Sequence, residues 1–201
     1  MNYVKQGRPD RINNKLRGIV VLGYQAESGK DESAKMIKER LESLGYTVGI
    51  MHYAYYIKDI AKRFLGWDGQ KDESGRNFLQ QLGTDEIRGR LGWNEFHCNR
   101  VCEDIQIVRD YYDYILIPDG RFINEIYFTK AKFPYQNVIS VHVDRTDYFL
   151  NKDLGGHKSE RELDGFKFDW TIHNSKGLDH LKNQCDFFVT EVLLNNYIDQ
   201  E

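Results

Sequence analysis

The sequence contains no long run of apolar residues, and no apolar core of the secretory type follows its first residue. A helix that crosses a membrane needs about 20 mainly apolar residues, and a signal peptide needs an apolar stretch behind its basic start. We therefore expect neither a membrane span nor a membrane partner, and we predict a cytoplasmic protein.

The chain also lacks an excess of positive charge. It has 28 Lys and Arg against 31 Asp and Glu, which gives a formal net charge of −3. Proteins that bind nucleic-acid polymers usually have a basic surface, so we expect no such polymer as a partner. An anionic ligand must be bound locally, by a few cations and backbone N–H groups.

Cysteine is rare, with only Cys98, Cys102 and Cys185. The odd count and the absence of a disulfide-like spacing are typical of a reducing compartment. His97 lies close to the first two cysteines, but no second Cys/His pair has the spacing of a zinc site. We therefore expect these side chains to be structural and not metal ligands.

Short apolar runs alternate with helical patterns along the chain, without internal repeats or low-complexity linkers. The predicted strands are Gly18–Gly23, 47–51, 114–117, 137–143 and Trp170–His173. The predicted helices are 30–44, 57–66, 76–91, 94–112 and 178–198. This alternation is typical of an α/β fold with a parallel sheet of about five strands between helices. We predict one domain over 1–201, with an N-terminal arm at 1–17, helical insertions after the second strand and a strand end at Pro118.

The turn between the first strand and the first helix carries the strongest functional signal. It reads Gly23-Tyr24-Gln25-Ala26-Glu27-Ser28-Gly29-Lys30-Asp31. A strand-to-helix turn that ends in Gly-Lys is typical of a P-loop, where backbone N–H groups and the helix N-terminus point at phosphates and the lysine bridges the outer ones. Tyr24 stands where the first glycine of the strict pattern is expected, and Asp31 replaces the usual Ser or Thr. A turn that only connects strand and helix is the alternative.

With Asp after Lys30, this turn resembles that of the phage and bacterial deoxynucleoside monophosphate kinases. Further segments similar to that family follow in the same order, namely 58–62, 65–69, 71–76, 79–84 with Arg88 and Trp93, 119–125, and 157–160 with Leu163, Asp169 and Asn174. The resemblance runs over 18–181. Phosphomevalonate kinases share the Gly-Lys-Asp and Asp-x-Arg features and are the nearest enzymatic rival.

The resemblance implies a P-loop kinase that uses ATP and Mg²⁺ and phosphorylates a nucleoside monophosphate. It implies an acceptor-binding insertion at 52–112 and a lid at 146–168. The implied ATP-binding residues are Gly23, Ser28, Gly29, Lys30, Asp31, Glu32 and Asn174. The implied acceptor-binding residues are Lys58, Arg76, Gln80, Thr84, Arg88, Trp93 and Arg121, and the lid residues are His157, Lys158, Ser159 and Arg161. The implied catalytic residues are Lys30, Asp119, Arg121 and Arg145, with Asp31 and Asp119 at Mg²⁺, directly or through water.

Elementary electrostatics supports several of these roles independently. A cation in the first turn of a helix opposes the helix dipole, so the position of Lys30 favours a bound anion. Asp119 follows a predicted buried strand, at the edge where open α/β sheets bind ligands, although Pro118-Asp119-Gly120 is also a good turn sequence. Arginine suits phosphate oxygens through its planar fork, and each arginine could instead be a surface residue.

Three hypotheses remain open at this point. The first is transfer of the ATP γ-phosphoryl group to a (deoxy)nucleoside 5′-monophosphate. The second keeps the P-loop but takes another small phosphate ester, and the third is a nucleotide-binding protein without catalysis, in which Tyr24 has spoiled the loop. The sequence leaves the preferred base, the sugar and the oligomeric state open, with a homodimer as one alternative. If the chain is phage-encoded, its compartment is the host cytoplasm.

Overall fold

Five parallel strands form one sheet in the computed structural model, which describes residues 15–23, 26–145 and 161–195. The strands are β1 (Gly18–Gly23), β2 (Val48–Ile50), β3 (Tyr114–Gly120), β4 (Asn137–Asp144) and β5 (Trp170–His173). Their order across the sheet is β2-β3-β1-β4-β5, and every neighbouring pair is parallel. The predicted α/β fold with a parallel sheet is confirmed.

Helices cover both faces of this sheet. They are α1 (Lys30–Ser43), α2 (Tyr55–Phe64), α3 (Glu73–Gln80), α4 (Phe96–Val108), α5 (Ile123–Lys132) and α6 (Leu178–Phe187). Two π-helical segments, Gln81–Arg90 and Phe188–Leu194, continue α3 and α6. Helix α5 was not predicted from the sequence. None of the helices in the described part of the chain is both long and apolar enough to cross a membrane.

The sheet separates two apolar cores, as the period of two in a strand requires. Val20 and Leu22 of β1 pack in the core under α1 and α6, whereas Ile19 and Val21 pack in the core under α4 and α5. All six residues of β1 are buried. This explains why β1 reads as a continuous apolar run and not as an alternating one.

The topology creates a crevice at the carboxyl ends of β1 and β3. These strands are neighbours, but β1 continues into α1 on one face of the sheet, and β3 continues into α5 on the other. Adjacent strands whose connections leave towards opposite faces form a switch point, which is where open α/β sheets bind ligands. The loop before Lys30 and the segment around Asp119 both lie at this point.

The prediction that Pro118 ends the third strand is wrong, since β3 continues to Gly120. A proline in a central strand normally removes a hydrogen bond from the ladder. Here the pairing of β2 with β3 reaches only Leu116, and the register between β1 and β3 shifts after the pair of Val21 and Ile117. Pro118 therefore lies at an irregularity where the regular ladder has already been interrupted.

A polar network around Asp169 joins β4 to α5 just before β5 begins. The Asp169 carboxylate accepts hydrogen bonds from Ser140 N (2.7 Å), Ser140 Oγ (2.7 Å) and Lys130 Nζ (2.6 Å). Burial alone would raise the pKa of Asp169, but the hydrogen bonds from Lys130 and Ser140 outweigh burial, and the pKa is lowered below 3.8. The ionised carboxylate is therefore the form that the fold stabilises.

We predict that Asp169→Asn lowers the free energy of unfolding by about 1–3 kcal/mol at neutral pH, because the donors around it lose a charged acceptor. Since the folded pKa lies below the unfolded one, this contribution should be present above pH 3.8 and should disappear as the pH falls further below that value. Urea unfolding at neutral and acidic pH measures both effects. Glu103→Gln, which breaks an exposed ion pair with Arg100, is the matched control. An Asp169→Asn effect no larger than that of the control at neutral pH would contradict the prediction.

Candidate functional site

The loop that precedes α1 ends in a glycine with left-handed backbone geometry. Gly29 is the N-cap of α1 with φ 99°, and it has no side chain to bond the first backbone N–H groups of the helix. Asn174, which follows β5, donates from Nδ2 to the Ser28 carbonyl oxygen at 2.9 Å. A Cβ atom on residue 29 would lie 2.4 Å from that nitrogen. The backbone geometry therefore favours glycine here, and a Cβ atom would also displace the Asn174 amide group from Ser28.

Lys30 is buried directly beneath this loop. Only 6% of Lys30 is exposed, Ser28 is fully buried, and Lys30 Nζ lies 3.3 Å from Ser28 Oγ. Lysine is rarely buried to this degree, and the positive end of a helix dipole attracts anions. The position favours a site built for a strongly anionic ligand. Asp31 and Glu32 follow in the same first turn.

Two arginines from different elements contact Glu27 in the loop. Arg145, which follows β4, donates from Nη1 to the Glu27 carbonyl oxygen at 3.0 Å. Arg76 of α3 places Nη1 3.5 Å from Glu27 Oε1. The structure therefore brings both of these predicted arginines to the loop, although they lie far apart in the sequence.

Asp119 ties the end of β3 to the start of the helical insertion. Its Oδ1 accepts a hydrogen bond from Tyr53 N (2.9 Å), and its Oδ2 accepts one from Ala54 N (3.1 Å). His52 Nδ1 lies 3.7 Å from Oδ2. Sequence reasoning predicted Asp119 but not His52, whose place beside it depends on the fold and has no local signal.

Lys58 of α2 shares an electrostatic environment with three other predicted residues. Burial lowers the pKa of its ammonium group, the carboxylates of Asp119 and Asp31 oppose this lowering, and Arg121 adds to it. Asp31, Asp119 and Arg121 therefore each lie within electrostatic range of Lys58. The loop, the strand end and the insertion each contribute to this group.

Arg88 is held more firmly than a surface arginine. It is 8% exposed, its Nη2 lies 2.7 Å from Glu125 Oε1, and its guanidinium carbon lies 4.0 Å from the centre of the Phe122 ring. Its Nη1 donates to the Asn94 carbonyl oxygen (2.8 Å) and to Asn124 Oδ1 (3.1 Å). Sequence reasoning missed this buried ion pair, because the two partners lie 37 residues apart.

Glu125 also organises the first turn of α5. Its Oε2 accepts hydrogen bonds from the backbone N–H groups of Arg121 (2.8 Å) and Phe122 (3.1 Å). Burial raises the pKa of Glu125 to about 7, although the Arg88 guanidinium and these two donors act in the opposite direction. The backbone of Arg121 is therefore fixed by the same carboxylate that orients Arg88.

An open cavity of about 570 Å³ lies beside the Arg88 side chain. Its lining includes Thr84, Arg88, Asn94, Phe122, Asn124 and Glu162. It thus brings two predicted acceptor residues, Thr84 and Arg88, together with the amide side chains of Asn94 and Asn124. Asn124 belongs to the 119–125 segment of the resemblance, whereas Asn94 was not predicted. Trp93 lines a neighbouring groove of about 580 Å³ instead, where its ring stacks on Phe96 at 6.3 Å, and the two spaces share Asn94.

The remaining predicted residues lie around these features. Gly23 ends β1 opposite Gly120, where a Cβ would come within 2.9 Å of the Phe168 ring. Gln80 is the half-buried last residue of α3, and Arg161 is exposed. Tyr24, the arm over residues 1–14 and the lid residues His157, Lys158 and Ser159 lie outside the described residues.

A magnesium ion fits the residues at the crevice. The described residues contain no group of three or more His, Cys, Asp and Glu side chains that could hold a metal ion alone. Mg²⁺ usually takes one or two carboxylates and completes its shell with phosphate oxygens and water. Asp31 and Asp119 can supply those carboxylates, since each Asp119 oxygen keeps a lone pair beyond its backbone hydrogen bond.

No protein-family profile matches the sequence, and no curated protein matches it. Solved structures with a similar fold include APE1195, at 11% identity and a TM-score of 0.50 over 90% of this chain and 98% of that one. The Mycobacterium tuberculosis APS kinase CysC in complex with AMPPNP and APS has 11% identity and a TM-score of 0.47, over 87% and 96%. Shikimate kinase from Acinetobacter baumannii, in complex with shikimate, has 12% identity and a TM-score of 0.43, over 94% and 97%. At these identities the likeness concerns the fold alone.

We predict that Gly29→Ala destabilises the protein more than Gly45→Ala does. Both glycines have left-handed φ angles, but a Cβ at Gly45 meets nothing within 4 Å, whereas one at Gly29 meets Asn174 Nδ2. Gly45→Ala should cost about 1 kcal/mol through backbone strain alone, and the difference between the variants isolates the clash. Denaturant unfolding of both variants measures it. Adding Asn174→Ala to Gly29→Ala should recover part of the loss, and equal stability of the two single variants would contradict the prediction.

Proposed function

We propose that the protein transfers the γ-phosphoryl group of ATP to the phosphate of a (deoxy)nucleoside 5′-monophosphate, which yields the diphosphate and ADP. The observation that carries this proposal is the buried Lys30 ammonium at the glycine-capped N-terminus of α1, at the switch point of a parallel sheet. Backbone N–H groups and a buried cation that converge at such a point suit a polyphosphate.

The donor side of the site is the loop before α1. In the proposal, backbone N–H groups of this loop and of the first turn bind the β- and γ-phosphates, and Lys30 bridges them. Asn174 fixes the loop through Ser28, and Arg145 fixes it through Glu27. Because these contacts exist before any ligand arrives, the phosphates of ATP bind to backbone N–H groups that are already oriented.

The acceptor side is the cavity lined by Thr84 and Arg88. Its volume of about 570 Å³ lies within the usual range of roughly 300–1,000 Å³ for small-molecule sites. Amide side chains and an aromatic residue line it, which suits a ligand with a flat polar base. Arg88 is pre-oriented by Glu125, and Lys58 and Arg121 lie nearer to the loop in this proposal.

Catalysis in this proposal depends on position and charge. Phosphoryl transfer gains little from covalent participation by the protein, so in-line placement and neutralisation of the phosphate oxygens supply most of the barrier reduction. Lys30 and Arg121 hold opposite phosphates in the crevice and neutralise their charge, with Arg145 beside the loop. Magnesium, when bound by Asp31 and Asp119, would neutralise further phosphate charge. A lid at 146–168, which includes Arg161, would keep water out.

A coupled assay of ADP release, with ATP, Mg²⁺ and a panel of acceptors, tests the proposal. Turnover with deoxynucleoside or nucleoside monophosphates is the expected result. Turnover only with non-nucleotide phosphate esters would show that the acceptor is another small phosphate ester. ATP binding without turnover of any acceptor would show a nucleotide-binding protein without catalysis. A calorimetric titration with a non-hydrolysable ATP analogue separates the last outcome from a failure to bind.

We predict that Lys30→Ala lowers kcat by at least about 10²-fold, the usual effect of removing one preorganised charge stabiliser. Its melting temperature should stay close to that of the wild type, because the buried ammonium group opposes the helix dipole. Lys35→Ala, on an exposed position of the same helix, is the matched control and should keep wild-type kcat. A large loss of stability without selective loss of turnover would show that Lys30 is structural.

A further inference from the structure

Glu27 has a backbone conformation that its side chain disfavours. Its φ angle is 61°, and it is the only non-glycine residue with a positive φ among residues 15–23, 26–145 and 161–195. A residue with a Cβ atom is strained in this left-handed region, whereas glycine adopts it freely. Residues held in such conformations are concentrated at functional sites. A glutamate in a loop that would fold more easily with glycine therefore needs an explanation from its side chain.

The side chain of Glu27 points out of the loop towards the insertion. Its Oε1 lies 3.5 Å from Nη1 of Arg76, whereas its backbone carbonyl oxygen accepts the hydrogen bond from Arg145 at 3.0 Å. The Arg76 side chain is 60% exposed, and that of Glu27 is 38% exposed. The carboxylate thus contacts the helical insertion, and the carbonyl group contacts the segment that follows β4.

We propose that Glu27 is a positioning residue that holds the guanidinium group of Arg76 at the mouth of the phosphate loop, where Arg76 binds the acceptor phosphate. This inference rests on the proposed function. Guanidinium has five N–H donors in a fixed fork, so it can bond Glu27 on one edge and a phosphate on another. An exposed arginine otherwise samples many rotamers, and an ion pair that limits them reduces the entropy lost on binding.

The position of the carboxylate requires a bridging cation. A carboxylate that faced a bound phosphate without one would repel it, and this repulsion is stronger in a partly desolvated crevice than in water. Arg76 between the two anions changes the repulsion into two attractions. Glu27 therefore affects acceptor binding through Arg76.

Side-chain substitutions at residue 27 separate the two contacts. Every variant keeps the backbone carbonyl group that bonds Arg145 and loses the carboxylate contact with Arg76. The effect should therefore fall on the KM for the acceptor and spare the KM for ATP. Glycine is the most informative substitution, because it relieves the backbone and removes the carboxylate at once.

The experiment compares Glu27→Gly, Glu27→Gln, Arg76→Ala and the double variant Glu27→Gly/Arg76→Ala in steady-state assays and thermal melts. We expect Glu27→Gly to match or exceed the wild-type melting temperature. Both Glu27→Gly and Glu27→Gln should raise the acceptor KM about tenfold, which is the size expected for the loss of one charge-assisted contact. In Glu27→Gln, which keeps a side chain on the loop backbone, the KM for ATP should change less than about twofold. The double variant should be no worse than Arg76→Ala, because the two residues act as one unit. Glu42→Gln, which breaks an exposed ion pair with Lys38 on α1, should have no effect.

Four results would overturn the inference. These are an unchanged acceptor KM in the Glu27 variants of an active enzyme, a loss confined to kcat, full additivity in the double variant, or a lowered melting temperature with all kinetic constants impaired. Absence of turnover by the wild-type protein overturns the proposed function and this inference together. If the wild type turns over and the Glu27 variants keep its acceptor KM, the inference alone is overturned.

Discussion

The glycine at the start of α1 is the constraint on which the candidate site depends. Because Gly29 has no side chain, the N-cap residue itself offers no side-chain acceptor to the first backbone N–H groups of the helix. The loop is fixed instead by Asn174 and Arg145, which bond its carbonyl oxygens from segments distant in sequence. These two contacts hold the loop at Glu27 and at Ser28.

A second set of contacts sets the position of the insertion relative to this loop. The backbone of Tyr53 is bonded to Asp119, and its buried hydroxyl group lies 3.1 Å from the Glu125 carbonyl oxygen and 2.8 Å from Thr129 Oγ1. Glu125 in turn fixes Arg88. The wall of the cavity beside Arg88 is therefore attached to the same strand end, β3, that borders the loop. In the proposed reaction, the donor and acceptor sites would share this one reference, as transfer between two bound phosphates requires.

The sequence predicted the features that have local signals. The strand β1, the loop and α1 were predicted because an apolar run, a Gly-Lys pair and a helical period follow one another directly. Helix α5 was missed because its buried face mixes Glu125 and Thr129 with Ile126, so it has no apolar period. The continuation of β3 through Pro118 depends on the short pairing of β2, and the Arg88–Glu125 pair depends on the fold. Neither has a signal within a few residues.

The three cysteines have a practical consequence. Cys98, Cys102 and Cys185 are buried and unpaired, and burial raises the pKa of their thiols to about 12, 11 and 12, respectively. Alkylating reagents attack the thiolate form, so the native protein should resist labelling at neutral pH without removal of any cysteine. A spectroscopic probe attached to a cysteine introduced on the exposed surface of α3 would therefore report the motion of the insertion against the sheet in an otherwise unaltered chain.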